Sequence, residues 1–162
     1  MDQKDTIRIV SVGANAAGLR AAARAKRLLP DAVVTVIDRG KYISYGACGM
    51  PYLVSGDIET ADKLRETAYG VIRDPDFFRD AKGLEVITQT EVKRIDRESR
   101  RVLYKSILTG ETKVYPYDKL ILATGAKPIV PSGIPFDNPR VSLLSSISKM
   151  GLPCERLSKR ER

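Results

Sequence analysis

Ile7 to Asp38 is the stretch that most narrows the folds open to this chain. Ile7–Val12 (IRIVSV) is apolar and rich in β-formers, the pattern of a buried strand. Gly13–Gly18 is a glycine turn. Ala16–Leu29 holds six alanines and three leucines and predicts a helix, with Pro30-Asp31 as its stop. Residues 32–38 (AVVTVID) predict a second buried strand. Strand, turn, helix and strand within 32 residues (7 to 38) is the size of a βαβ unit. The expected class is therefore α/β, built on a parallel sheet.

The remainder adds a second kind of sheet. A short helix is expected near Cys48 and another over 74–82, with Pro75 in its first turn. Residues 84–88 predict a short strand. Residues 91–96, 101–108 and 111–118 alternate and are rich in β-formers, with turn signals at Arg97–Ser99 and Thr109-Gly110. They read as a three-stranded antiparallel meander. Residues 119–125 predict one more buried strand ending in a glycine turn, and 126–139 carry four prolines, an extended loop. From Ser142 the texture changes: residues 142–162 show no clear face and end basic. The chain thus divides into a domain over 1–141 and a tail over 142–162, read as disordered or a non-native continuation.

Composition excludes several function classes. At 162 residues a domain buries about 68–70% of its unfolded surface and needs no disulfide or metal staple. There is no histidine, which removes the commonest general base and metal ligand and argues against a metal site. No run of ~18 apolar residues occurs, and the N-terminus lacks a signal peptide's apolar region, so a cytoplasmic, non-membrane protein is expected. The net charge of +8 suits a nucleic acid or a small molecule with several phosphates. Aromatics are only 6% and lack base-stacking spacing, so nucleic acid is not expected. A solvated basic surface accounts for most of the charge.

Three motifs carry chemistry. Gly13-Ala14-Asn15-Ala16-Ala17-Gly18 is a G-x-G-x-x-G dinucleotide fingerprint with Asn15 at its middle glycine. It follows a strand, opens a helix, and has Asp38 at the end of the next strand, 20 residues on (38 − 18). Such a helix start offers free N–H groups to a pyrophosphate, and the acidic residue accepts from a ribose. The alternative is a βαβ turn that binds nothing. Second, Ala123-Thr124-Gly125 ends a strand at the sheet edge where ligands bind in open α/β folds; a plain turn would look the same. Third, Cys48 stands between Gly46 and Gly49. A thiol at a helix N-terminus is an activated nucleophile. A buried packing cysteine is the competing reading. Cys154, in the tail, has no evident role.

Together these motifs resemble the flavin domain of the pyridine nucleotide-disulfide oxidoreductases. VGANAAGLRAAARAKRLLPDAVVTVIDRG, YISYGACGMPYLVSGD and YDKLILATGAKPIVPSGIP match, in order and spacing, the single-cysteine branch: coenzyme A-disulfide reductases, persulfide reductases, NADH oxidases and peroxidases. The resemblance covers residues 6–141. It implies a Rossmann-like FAD-binding domain of the glutathione-reductase type, with FAD on Gly13–Gly18, Asp38, Arg39 and Ala123–Gly125, and its ring beside Cys48. The branch replaces the usual second cysteine, here Leu53, with a substrate thiol: a Cys48–coenzyme A mixed disulfide is reduced with electrons from NAD(P)H by way of FAD. Matching substrate positions are Arg20, Arg24, Arg27, Ser44 and Tyr45, with Lys82 at a shift of one residue. For the arginines a solvated helix face is the plainer reading.

The sequence departs from the branch in two ways. Ala47 stands where an asparagine often precedes the cysteine, although CGMPY favours the coenzyme A and persulfide reductases over the oxidases. Residues 142–162 do not resemble the family's continuation, and no second G-x-G-x-x-G follows in the 37 residues after Gly125 (162 − 125). The resemblance implies further NADH-binding and dimerisation domains, and no counterpart of either is expected within these 162 residues. Full-length relatives are expected to be homodimers, and this chain alone is not expected to turn over.

Overall fold

The computed structural model describes residues 6–134, 138, 141 and 143–147. Expectations for Cys154 and for residues 148–162 lie outside the described residues. Strands β1 (Arg8–Val12), β2 (Val33–Ile37), β3 (Glu85–Ile87) and β7 (Lys119–Leu122) form one parallel sheet in the order β3-β2-β1-β7. Strands β4 (Thr90–Asp96), β5 (Arg101–Ser106) and β6 (Thr112–Pro116) form the antiparallel meander, in the order β4-β5-β6. Helix α1 (Ala16–Leu28) crosses from β1 to β2, α2 (Met50–Ser55) follows Cys48, and α3 (Pro75–Lys82) precedes β3. The fold is the expected α/β class, with both sheets present.

Period-2 alternation in the central strands assigns each sheet face a partner. Ile9, Val34 and Val36 point to the helical layer, where they pack with Leu19, Ala22 and Phe78. Val10 and Ile37 point the other way, onto Val102 and Tyr117 of the meander side. Both faces of β1 and β2 are covered, so the two strands are largely apolar, with Ser11 and Thr35 as buried polar exceptions. One polar side chain, Thr35, lies on the meander face and is fully buried. It is satisfied: its hydroxyl lies 2.9 Å from both Glu85 Oε2 and the Tyr115 hydroxyl. That cluster ties the meander to the parallel sheet.

Helix ends follow their sequence signals. Pro75 opens α3, Asp74 caps it by accepting from Phe77 N–H at 2.9 Å, and Gly83 ends it in the left-handed region at φ 63°. Lys26 closes α1 by donating to the carbonyls of Pro30 and Ala32, each at 2.7 Å. A short 3₁₀ segment, Ala61–Leu64, has no periodic signal in the sequence. It matters because Leu64 is buried beneath the Cys48 segment.

Candidate functional site

The motif residues meet at the carboxyl edge of the parallel sheet. Val12 pairs with Ile37 on one side and with Leu122 on the other, so the three strands end level. β2 lies to one side of β1 and β7 to the other, which makes the β1–β7 crevice the point where strand order reverses. Ligands of open α/β sheets bind at such points.

Gly13 and Gly18 are both demanded by close backbone approach. Gly13 has φ 110°, and a Cβ there would lie 2.2 Å from the Ala123 carbonyl oxygen. The Ala123–Gly125 motif is thereby brought against the fingerprint. A Cβ on Gly18 would lie 1.8 Å from the Gly13 carbonyl oxygen. The helix start therefore rests directly on the turn.

The first turn of α1 is left open. Asn15 occupies the N-cap position but makes no side-chain cap. The N–H groups of Ala16, Ala17 and Gly18 have no partner among the described residues. Asn15 Oδ1 is buried and also lacks a partner. Asp38 is more occupied than the fingerprint alone implies. Its Oδ2 accepts from Ala14 N–H and its Oδ1 from Gly40 N–H, both at 2.6 Å. Each carboxylate oxygen retains a lone pair for a further donor. The carboxylate thus braces the glycine turn it was expected to serve. Arg39 is exposed beside it.

Cys48 lies in a 3₁₀ turn, Ala47–Gly49, immediately before α2, so the expected helix begins two residues later, at Met50. Pro51 in the first turn starts that helix. Cys48 is exposed, and this removes the reading of a buried packing cysteine. The segment is anchored to the glycine turn by Ser44 N–H donating to Ala14 O at 2.9 Å, and to the 3₁₀ segment by Gly46 N–H donating to Leu64 O at 2.8 Å. Gly49 packs closely on the 3₁₀ segment: a Cβ there would meet Leu64 Cδ2 at 2.4 Å, and the buried leucine end would have to shift to admit it. Burial pushes the half-buried Tyr45 phenol above its ordinary value; an N–H from Ile147 opposes this and the Asp38 carboxylate adds to it. Ile147, within the expected tail, is buried against Met50 and Leu64. Nothing in its local sequence signalled that contact.

Arg20, Arg24 and Arg27 are exposed along one stripe of α1, and none has an ion-pair partner among the described residues. The stripe runs about 10 Å at 1.5 Å per residue, away from the glycine turn. Lys82 is exposed at the far end of α3, beside Gly83, which itself abuts Lys26. Among the described residues no group of three or more Cys, Asp or Glu is arranged to hold a metal, and no helix is long and apolar enough to cross a membrane.

A glycine-cradled helix start at the switch point of a parallel sheet, backed by an antiparallel meander, defines a Rossmann-type α/β oxidoreductase fold. The sequence pattern of the pyridine nucleotide-disulphide oxidoreductases matches residues 7–153, and the chain belongs to that family. It is 35% identical over 126 residues to an NADH oxidase of Lactococcus lactis, covering 78% of this chain and 26% of that protein. It is 35% identical over 125 residues to an NAD(P)H coenzyme A polysulfide/persulfide reductase of Pyrococcus horikoshii, covering 77% and 26%. The solved NAD-dependent persulfide reductase of A. fulgidus superposes with a TM-score of 0.88 at 37% identity, over 95% of this chain and 28% of that one. The chain therefore spans about a quarter of the length of the relatives it matches.

Proposed function

We propose that this chain is the FAD-binding part of a coenzyme A-disulfide or persulfide reductase in which Cys48 is the redox thiol. The observation that carries the reading is the open helix start. Unpartnered N–H groups on Ala16, Ala17 and Gly18 meet two glycines that leave no room for a Cβ. That cradle fits the diphosphate of a flavin dinucleotide, and the spare lone pairs of Asp38 fit its ribose. FAD, when bound, supplies the two-electron link between NAD(P)H and the disulfide.

The chain's own residues have three tasks. The α1 N-terminus and Gly13 hold the diphosphate, while Asp38, through Ala14 and Gly40, keeps the turn in its binding shape. The unpaired arginines of α1 attract the phosphates of coenzyme A. The Cys48 thiolate attacks one sulfur of coenzyme A disulfide; a Cys48–S–S–CoA bond forms, the substrate S–S bond breaks, and one coenzyme A thiolate leaves. The exposed position of Cys48 supports this step. Similarity to an NADH oxidase supports a second reading, a flavoprotein of the oxidase type.

The two separate in one experiment. The reduced chain is mixed with coenzyme A disulfide and digested, and the peptides are weighed. The reductase reading expects the coenzyme A adduct on Cys48, absent in Cys48→Ser, with Cys154 unmodified. Equal modification of both cysteines, or none on Cys48, refutes it.

A further inference from the structure

We infer that Ile147 is a positioning residue for Cys48: it fixes the turn that aims the thiol at a disulfide, given the reading of Cys48 as the redox thiol. The two residues lie 99 positions apart (147 − 48), and Ile147 belongs to none of the helices and strands of the fold.

Cys48 has little of its own to hold it. It is exposed, it sits in a 3₁₀ turn of three residues, and the helix that follows, α2, has only six. Helices this short are marginal alone and take their order from packing. That packing comes from beneath. The Leu64 carbonyl accepts from Gly46 N–H at 2.8 Å, and Leu64 Cδ2 abuts Gly49, so one leucine supports the turn on both sides of Cys48. Leu64 in turn ends a 3₁₀ segment of four residues, which is no firmer by itself. Its support is a cluster of three buried residues, Met50, Leu64 and Ile147, distinct from the two clusters that cover the parallel sheet. Ile147 is 5% exposed, whereas Leu144 is 46% exposed, so Ile147 is the residue that docks its segment. The Ile147 N–H also favours the ionised Tyr45 phenol, which places its backbone beside the residue three before Cys48. Ile147 therefore meets the cysteine turn at Tyr45, at Met50 and, through Leu64, from below.

Thiol–disulfide exchange makes that position matter. Cys48 Sγ has to approach along the S–S axis of the substrate while a coenzyme A thiolate leaves from the far end. A small alkylating agent needs only an exposed thiol. A misplacement of an ångström costs up to about a hundredfold in an oriented reaction and little in one that any approach satisfies. Truncating Ile147 leaves a cavity into which Met50 and Leu64 relax, and the turn resting on them moves.

The test compares two rates at Cys48 for the full 162-residue chain, Ile147→Val and Ile147→Ala, both read by peptide mass: adduct formation with coenzyme A disulfide and alkylation by iodoacetamide. Circular dichroism checks that each variant is folded. The expected result is a graded loss of the coenzyme A rate, about two- to fivefold for valine and ten- to a hundredfold for alanine, with alkylation within about twofold of the parent. If the alanine variant does not fold, the valine variant decides by the same ratio. An unchanged coenzyme A rate overturns the inference and leaves Cys48 as the redox thiol. Equal changes in both rates also overturn it, because Ile147 then governs exposure and not aim. A parent chain that is alkylated at Cys48 yet forms no coenzyme A adduct there refutes the redox-thiol reading itself.

Discussion

Gly18→Ala reverses the sign of a familiar substitution, and that reversal tests the packing of the site. Replacing glycine by alanine inside a helix ordinarily stabilises by about 0.5–1 kcal/mol, because alanine loses less backbone entropy. Gly18 carries ordinary helical φ, so no conformational strain opposes the change. The obstacle is steric. The added Cβ would sit 1.8 Å from the Gly13 carbonyl oxygen and 2.9 Å from its carbon, where ordinary contact begins at 3.4 Å. Relief requires α1 and the turn to separate by about 1.6 Å, the difference between 3.4 and 1.8 Å. Both partners are backbone, and the turn is held by Asp38 on one side and by the Ile37 carbonyl on the other. Overpacking of this kind costs about 3 kcal/mol. Set against the propensity gain, the net is about 2–2.5 kcal/mol of destabilisation. At 2–4 °C per kcal/mol for a chain of this size, the melting temperature falls by roughly 4–10 °C. Helical circular dichroism on heating, without flavin, measures it. Gly56→Ala is the control: it has left-handed φ 89° and nothing within 4 Å of the added Cβ, so only backbone strain acts. A Gly18→Ala chain as stable as the parent, or more stable, would refute the close approach of helix and turn.

Three further outcomes follow from named contacts. Arg24→Glu should slow formation of the Cys48–coenzyme A adduct about three- to tenfold at low salt and leave reaction with an uncharged disulfide unchanged; equal slowing of both disulfides would remove the phosphate-steering role. Asp74→Ala removes the α3 cap to Phe77 N–H and should cost about 1 kcal/mol, read as a lower urea midpoint; no shift would mean the cap contributes nothing. In acid, Asp118 and Asp96 set the direction. The Arg8 N–H on Asp118 and the Ser99 N–H on Asp96 hold both carboxyls below their ordinary range. Depressed carboxyls stabilise the fold above the unfolded value of about 3.9 and lose that contribution as pH falls through the folded value. The urea midpoint should therefore drop below pH 4, and less steeply in Asp118→Asn; identical acid limbs would remove Asp118 from the account.

Much of this architecture is legible in local pattern. The βαβ unit shows because a strand's apolar run, an alanine-rich helix and a glycine between them are each short-range signals. The meander shows because alternation and turn residues repeat every ten or so positions. The candidate site was legible as far as residue types at fixed spacing can carry chemistry: Gly13, Gly18, Asp38 and Cys48 were identifiable before their positions were known.

Tertiary structure decided the rest, because it depends on which distant atoms meet. Gly18 is irreplaceable on account of the Gly13 carbonyl, and Gly13 on account of Ala123, a residue 110 positions away (123 − 13). Asp38 reads as a ligand contact in sequence and proves also to be a brace, since Ala14 and Gly40 donate to it. The 3₁₀ turns at Ala47–Gly49 and Ala61–Leu64 are too short to carry periodicity, and they set the exposure of Cys48 and the burial of Leu64. Ile147 lies in a stretch with no amphipathic face, yet it closes the cluster beneath α2, because one apolar side chain meeting Met50 and Leu64 leaves no repeating mark in the sequence. Asn15 is the clearest case. Its type and place were visible from the start, but that its carbonyl is buried and unanswered is a property of the folded chain alone.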